Sequence, residues 1–320
     1  MNTTTSPPVE AADRLVRGAV PAPRRRPRSA APYALLVPAV LVILLGMGYP
    51  VYWQIVTSLQ EYGLAQQFGQ PPEFVGLGNY AELFTSSALW AVVWKSILFC
   101  LANAGITVVL GMLFALLMKA ASKLPRAVLQ VAMLLAWAMP MVAAVTVFKW
   151  LFDYRVGVVN WLLVQIGFED ARGFAWLAQP LTFFLVATLV IVWMSVPFVA
   201  LSLYAALTQV SDEVMEAASL DGANAWHKFW NIVLPTIRPV LAIVLLLQII
   251  WDLRVFAQIR LLQDGGAPVG ETNLLGNFIY ALGVGEGDFG SAAAVSIFVL
   301  LLTIALSWPY VRSLLKEDEA

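Results

Sequence analysis

The stretch that decides the fold runs from Glu216 to Pro235 and reads EAASLDGANAWHKFWNIVLP. A Glu-Ala-Ala triplet is followed after three residues by Gly222, and after nine more residues by an Ile-x-Leu-Pro ending. Most of the residues between these points favour a helix, whereas Gly222 and Pro235 interrupt one. The pattern therefore predicts a helix, a bend, a second short helix and a stop.

The second of these helices is predicted to be amphipathic. Ala223, Trp226, Phe229 and Trp230 recur at spacings that place them on one side of a helix. Two tryptophans and a phenylalanine on a short, polar-flanked helix form an apolar plug. Because a hydrophobic run lies on each side of the stretch, we expect the plug to sit in a loop between two membrane spans.

The composition is that of a polytopic membrane protein. The 320 residues are 60% hydrophobic and 12% charged, whereas soluble domains are roughly 45–50% apolar and about 25% charged. The formal net charge of −1 by itself says nothing about nucleic acid, and no nucleic-acid partner is expected. The single cysteine, Cys100, and the single histidine, His227, exclude a disulfide framework within one chain and an HExxH zinc site. No metal site is expected.

The hydrophobic runs predict an all-α protein with six transmembrane helices. Residues 1–31 are rich in Pro, Ala, Thr and Arg and are predicted to form a disordered cytoplasmic tail. The uncharged run that follows is far longer than the ~7–15 residues of a signal-peptide core, so it predicts an uncleaved span. The predicted spans are residues 32–57, 91–118, 127–150 with Pro140 inside it, 181–207, a fifth that begins after Arg238, and 291–311.

The fifth span has charged residues close to its ends. The apolar residues between Arg238 and Asp252 reach only about 20 Å at ~1.5 Å per residue, against a hydrocarbon core of roughly 30 Å. We therefore expect the helix to continue through Asp252, Val255, Phe256 and Ile259. Charge then lies at or near membrane depth.

The distribution of basic residues predicts the orientation. With the N-terminus inside, most of the 19 Lys and Arg residues lie in inside segments, and the first external loop, residues 59–90, contains none. The positive-inside rule favours this arrangement. It places both termini and the loop at residues 211–236 in the cytoplasm.

The stretch from Glu216 to Pro235 resembles the cytoplasmic signature loop of permease subunits in binding-protein-dependent ABC importers. Its Asp221-Gly222-Ala223 is typical of the carbohydrate branch, and the segments at 72–80 and 193–198 also resemble sugar permeases of the maltose and glycerol-phosphate first-permease type. The resemblance implies a type I ABC importer permease fold. It implies a permease domain at 32–320, with a transport core at about 91–312 and a coupling loop at 211–236.

In such permeases the loop forms a coupling helix that docks in a cleft of an ATPase subunit. Glu216 and Asp221 are then expected to make polar contacts with the ATPase, and Gly222 to let the chain bend where a side chain would collide. Trp226, Phe229 and Trp230 either fill the cleft or brace the loop on its own spans. The coupling residues that the resemblance implies are Glu216, Ala217, Ala218, Asp221, Gly222, Trp226, Phe229, Leu234 and Pro235.

A solute path is predicted around the end of the fifth span, because ionisable residues within spans usually face the bundle interior or a wet cavity. On a continuous helix Trp251, Arg254 and Gln258 share one stripe, and an aromatic face with fixed donors and acceptors suits hydroxyl-rich solutes. Alternatively, Asp252 and Arg254 are helix-end charges satisfied at the interface or by a partner subunit. The predicted path residues are Trp251, Asp252, Arg254 and Gln258, with Asn277 and Tyr280 from a following re-entrant loop.

The sequence contains no Gly-x4-Gly-Lys-Ser/Thr pattern, so we expect no P-loop ATPase site and no catalytic residues in this chain. The resemblance implies that ATP and Mg²⁺ bind to a partner ATPase and that this chain holds no cofactor. The implied partners are a second permease in a heterodimer, two ATPase subunits or domains, an extracytoplasmic solute-binding lipoprotein and membrane lipid.

The expected function is ATP-driven uptake of a sugar or oligosaccharide across a bacterial or archaeal cytoplasmic membrane. One alternative is the same machine carrying glycerol phosphate or a polyamine. Another is an ion-driven secondary transporter, although the internal repeats common in that class are not found. A membrane-embedded enzyme is disfavoured by the missing catalytic constellation.

Overall fold

The computed structural model describes the backbone of residues 31–317 and the side chains of residues 35–312. The tail predicted at 1–31 therefore lies outside the described residues, apart from Ala31. The chain divides into two units, one ending at Tyr52 and one beginning at Trp53, and each is described by itself.

The described residues of the first unit are helical. Helix α1 (Ala31–Ile43) continues through a π-helical turn, Leu44–Gly48, into α2 (Tyr49–Ser58), which crosses the boundary between the units. The π-turn ends two residues before Pro50, a residue that has no N–H to donate to the helix. Leu35–Ser58 is apolar and long enough to cross a membrane, in agreement with the first predicted span.

The second unit contains a small antiparallel hairpin, which the sequence did not predict, and the remaining helices. The strands are β1 (Gln60–Glu61) and β2 (Glu73–Phe74), and the helices are α3 (Leu64–Gln67), α4 (Gly78–Thr85), α5 (Ser87–Ala120), α6 (Lys123–Trp137), α7 (Met141–Leu151), α8 (Val158–Gln165), α9 (Pro180–Leu207), α10 (Asp212–Leu220), α11 (Ala225–Lys228), α12 (Leu234–Leu253), α13 (Ala257–Gln263), α14 (Val269–Thr272), α15 (Leu275–Tyr280) and α16 (Phe289–Glu317).

Three further spans lie where the sequence predicts them, in α5, α9 and α16. The predicted third span is not one straight helix: α6 and α7 are bent by 96° at the break between them. Pro140 stands directly before α7, and proline lacks the N–H that would continue the helix from α6. Within the described residues, five helices are long and apolar enough to cross a membrane, or six if this bent pair is one span.

The fifth span differs from the prediction at both ends. α12 ends at Leu253 and does not continue through Ile259. Its length comes from the other side, because α11, a π-helical turn at Phe229–Val233 and α12 form one apolar helix of 29 residues, Ala225–Leu253. The stop predicted at Pro235 is therefore wrong. The π-turn ends two residues before Pro235, and its altered hydrogen-bond register accommodates a residue without an N–H inside the continuing helix.

α5 and α9 pack against each other at the centre of the second unit. Small side chains, Ala115 on α5 and Ala200 on α9, are fully buried there beside Leu203. Small residues let two membrane helices approach closely. This pair gives α6, α7 and α12 a common surface to pack on.

The hairpin is fastened to the bundle by polar groups. The Asn79 side chain donates to the carbonyl oxygens of Ser58 (3.0 Å) and Gln60 (2.9 Å). The carbonyl of Tyr62 accepts from the N–H of Phe289 at 2.9 Å, at the start of α16. The loop predicted at 59–90 is therefore an ordered cap on one end of the bundle.

Candidate coupling loop and translocation cavity

The loop after α9 contains two helices that meet at a glycine. Gly222 has φ +80°, its N–H donates to Ser219 O at 3.1 Å, and the N–H of Ala223 donates to Ala218 O at 2.9 Å. This pair of bonds is the Schellman arrangement that ends a helix on a left-handed residue. Nothing in the described chain lies within 4 Å of a β-carbon placed on Gly222. The crowding expected at Gly222 is thus absent from the described chain, and glycine is required there by its backbone angle.

The second helix is fixed by its own cap. The Asn224 side-chain oxygen accepts from the backbone N–H of His227 at 2.9 Å, as N-cap residues do. The Lys228 ammonium donates to the Ser219 hydroxyl, so it ties this helix back to α10. The bend between the two helices is held by hydrogen bonds on both sides of Gly222.

One face of α10 is exposed and is called the coupling face below. It consists of Glu216, Ala217, Leu220 and Asp221, which fall at i, i+1, i+4 and i+5. Leu220 is 90% exposed although it is apolar. The sequence analysis did not select this leucine. Its position as an isolated apolar residue between Ser219 and Asp221, just before the glycine turn, could have indicated an exposed contact residue. Ala218 is half-buried on the other side of the helix.

The aromatic residues predicted to form one apolar plug point to different surroundings in the structure: one packs on the bundle and two are exposed. Phe229 packs against the apolar cluster that includes Met112 and Val199, so it braces the loop on its own spans. Trp226 and Trp230 are 66% and 47% exposed, and their rings meet edge-to-face at 5.4 Å. Only the two tryptophans therefore remain available to a partner.

The last predicted coupling residues, Leu234 and Pro235, lie in the first turn of α12. Leu234 is half-buried and Pro235 is exposed. They lie beyond the π-turn and belong to the start of the span.

A cavity of about 200 Å³ lies where the break after α6 meets α9 and the end of α12. Three of the six predicted path residues, Trp251, Asp252 and Gln258, line it together. The full lining is Ala136, Trp137, Met139, Ile191, Met194, Ser195, Trp251, Asp252, Val255 and Gln258. The bend of the third span thus helps to form the cavity, a relationship that sequence alone did not indicate.

Asp252 is the charged residue of the cavity. It is 3% exposed, and its Oδ1 accepts from the side-chain amide of Gln248 at 2.9 Å. Its Oδ2 has no hydrogen-bond partner, and no basic group within the described residues pairs with it. Asp252 lies one residue before the end of α12 and is buried within the described chain. An ionised carboxylate in this position, next to the negative end of the α12 dipole, costs free energy, and either protonation or a bound donor group removes that cost.

Aromatic rings form one wall near the carboxylate. The ring of Trp137 is stacked on that of Phe198, with centroids 6.0 Å apart, and Phe198 meets Trp251 at 5.2 Å. Trp137 and Trp251 themselves line the cavity. Such flat apolar surfaces beside a hydrogen-bond acceptor suit a ring that is apolar on one face and polar at its edge.

The other predicted path residues lie elsewhere. Arg254 is exposed just beyond the end of α12 and does not line the cavity. Asn277 donates to Phe256 O at 3.3 Å, and the ring of Tyr280 lies 5.4 Å from that of Phe256. The predicted stripe is wrong because the helix ends at Leu253, so these residues do not share one helix face. Gln258 reaches the cavity from the separate helix α13.

A bundle of apolar spans with a capped helical loop and an internal cavity that contains a few polar groups is an arrangement that membrane permeases use. The match to known proteins specifies which kind. The chain belongs to the family of binding-protein-dependent transport system inner membrane components, whose model matches residues 107–312. The predicted resemblance and the all-α type I importer permease fold are confirmed.

Curated relatives cover most of the chain. It is 40% identical over 289 residues to the diacetylchitobiose uptake system permease protein DasB of Streptomyces coelicolor, covering 90% of this chain and 88% of the relative. It is 31% identical to the trehalose/maltose transport system permease protein MalF of Thermococcus litoralis, covering 88% and 92%.

A crystal structure of a bacterial ABC transporter involved in the import of alginate gives a TM-score of 0.73 at 23% identity, covering 90% of this chain and 96% of that one. At this identity the likeness supports the fold alone. The same fold therefore extends over nearly all of the chain.

Proposed function

We propose that this chain is the permease subunit of an ATP-driven importer for a sugar or oligosaccharide and forms half of its translocation path. The observation that carries the proposal is the cavity, where the rings of Trp137 and Trp251 stand beside the hydrogen-bonding groups of Asp252 and Gln258. Sugar rings stack on aromatic faces and donate hydroxyl groups to acceptors. The sugars in the names of two relatives, diacetylchitobiose and trehalose/maltose, agree with this chemistry.

The coupling face is the proposed contact with the motor. Leu220 inserts into an apolar recess of an ATPase subunit, and Glu216 and Asp221 make polar contacts around it, since interfaces commonly combine a buried anchor with a polar rim. Trp226 extends this surface. Closure of the ATPase on ATP then moves α10 and, through the capped bend at Gly222, the helix that follows.

This subunit works with partners in the proposal. They are a second permease in a heterodimer, two ATPase subunits or domains that hold ATP and Mg²⁺, and an extracytoplasmic solute-binding lipoprotein. The chain itself binds no cofactor, holds no ATPase site and sits in lipid. It is placed in a bacterial or archaeal cytoplasmic membrane with both termini inside, which the distribution of basic residues supports.

Of the six residues predicted to contact the solute, we keep those that line the cavity and add two further lining residues. Trp251, Asp252 and Gln258 are kept, and Trp137 and Ser195 are added. Arg254, Asn277 and Tyr280 are left out of direct solute contact because none of them lines the cavity.

Reconstitution in liposomes tests the proposal. The chain, its sister permease, the ATPase and the loaded binding protein are expected to accumulate radiolabelled diacetylchitobiose or maltose only with ATP, and vanadate is expected to stop the uptake. Uptake that persists without the ATPase would contradict an ATP-driven importer and favour an ion-driven transporter. ATP-dependent uptake of glycerol phosphate or a polyamine, with none of either sugar, would favour the other solutes.

A further inference from the structure

We propose that a pocket in the segment between α7 and α9 binds the phosphate of an anionic phospholipid headgroup. This segment, residues 152–179, lies at the end of the bundle opposite the coupling loop, because α9 begins there at Pro180 and ends at Leu207, just before the loop. The proposal concerns the lipid around the protein and does not depend on which solute is carried.

The pocket has a volume of about 400 Å³, and within the described residues its lining contains basic but no acidic side chains. Arg155 and Arg172 supply the positive charge, and Trp161 and Gln165 add side-chain N–H donors. A guanidinium group presents several N–H donors in a plane that matches the oxygens of a phosphate. The lining therefore has the chemistry of a phosphate site.

The two arginines differ in how far they are already neutralised. Arg172 donates to Glu169 at 2.8 Å, but the two side chains are 74% and 69% exposed, and exposed ion pairs contribute little. The Arg155 guanidinium carbon lies 4.9 Å from the centre of the Tyr154 ring, and Arg155 has no ion pair in the described part of the chain. The adjacent Asp153 directs its Oδ1 to two backbone N–H groups, at 2.8 and 2.9 Å. Arg155 is thus the cation that is available to a ligand.

Exposed apolar side chains surround the pocket and are called the apolar rim below. They are Val156, Trp161, Leu162, Ile166 and Phe168, and they are between 49% and 70% exposed. The rim stands between the end of α7 and the start of α9, where the chain leaves and re-enters the apolar bundle. Apolar residues mixed with tryptophan and arginine at such a position are typical of segments that lie in the lipid interface. Acyl chains therefore fit the rim, and the headgroup fits the pocket.

The rim is held in a fixed orientation from its inner side. Asn160 of α8 is 6% exposed, donates to Phe174 O at 3.0 Å and accepts from the indole N–H of Trp176. Val159 packs against the apolar core cluster that includes Phe183. α8 thus turns its exposed apolar residues away from the bundle, toward whatever surrounds the protein, and at a span end the surroundings are lipid.

Photolabelling of the permease pair tests the proposal. The pair is placed in phosphatidylcholine nanodiscs that contain a small fraction of photoactivatable phosphatidylglycerol or of photoactivatable phosphatidylcholine with the same chains, and labelled peptides are identified by mass spectrometry. Phosphatidylglycerol is expected to label residues 154–173 about threefold more than phosphatidylcholine does. Arg155→Gln is expected to reduce the labelling by phosphatidylglycerol roughly fivefold, and Arg155→Lys, which keeps the charge, to retain part of it.

A matched variant and two outcomes keep the result decisive. Lys123→Gln removes an exposed cation at the other end of the bundle, near the hydrogen bond from Lys119 to Leu207 O, and should leave labelling of residues 154–173 unchanged. Equal labelling by the two lipids that Arg155→Gln does not alter would overturn headgroup recognition. Cross-links from this segment to the sister permease or to the binding protein, with no lipid labelling, would also overturn it and make the apolar rim a protein interface.

Discussion

Gly111 of α5 lies directly against Val199 of α9. A β-carbon built on Gly111 would be 2.4 Å from Val199 Cγ1 and 2.9 Å from its Cβ. No such approach is possible for any other residue type without movement of one helix. The two central spans are therefore held at a distance that glycine alone allows, and this distance gives the first prediction.

Gly111→Val should destabilise the protein by about 1–3 kcal/mol, because the added methyl groups overpack a buried helix crossing. Thermal unfolding of the purified protein in detergent measures the change. Gly105→Ala on the same helix is the control, since nothing lies within 4 Å of a β-carbon there. Equal melting temperatures for the two variants would show that the α5–α9 crossing adjusts easily.

Gly222→Asp should leave the protein in the membrane but uncouple it. A non-glycine residue at φ +80° costs of order 1 kcal/mol or more, and a carboxylate at the C-terminal end of α10 opposes the helix dipole. ATP hydrolysis and uptake are measured together, and uptake is expected to fall while hydrolysis persists.

Gly222→Asn is the matched variant, because asparagine tolerates a left-handed backbone and carries no charge. It should keep most of the uptake. Normal uptake by Gly222→Asp at wild-type expression would rule out the role given to this turn.

Leu220→Ala should weaken binding of the ATPase by about tenfold, corresponding to ~1.4 kcal/mol for a lost apolar anchor. Affinity is measured between the purified ATPase and the permease pair in nanodiscs. Leu181→Ala is the control: Leu181 is 84% exposed, but it lies at the far end of α9 from the coupling loop. An equal loss of affinity for both variants would mean that Leu220 has no special contact.

Trp251→Ala should raise the transport Km for the sugar about tenfold, since it removes an aromatic face from the cavity. Uptake at several sugar concentrations separates this effect from a loss of protein. Trp94→Ala is the comparison, because Trp94 is 61% exposed on α5 and does not line the cavity. An unchanged Km and solute profile in Trp251→Ala would count against the proposed site.

The sequence was most informative where backbone chemistry and periodicity act locally. The helix–bend–helix around Gly222 followed from a glycine among helix formers, and the spans followed from length and hydropathy. Glu216 and Asp221 were expected to be available to a partner, and both are exposed. Their contact with an ATPase stays a prediction.

Where prediction failed, tertiary packing or a subtle backbone adjustment decided the outcome. Pro235 was expected to stop a helix, but the π-turn before it lets the helix continue. Trp137 was not singled out, because only the 96° bend after α6 brings it to the cavity with Asp252. Arg254 was assigned to the path from helical periodicity, which does not apply beyond Leu253.

The helix from Ala225 to Leu253, which continues through the π-turn, has a mechanical consequence. Its 29 residues extend roughly 44 Å, from the exposed tryptophans of the loop after α9 to the carboxyl group of Asp252. A continuous helix of this length connects the loop to the cavity directly, so a tilt at one end moves the other. An ATP-driven movement of the coupling loop at one end and a change in the shape of the cavity at the other would then belong to one movement of the same helix.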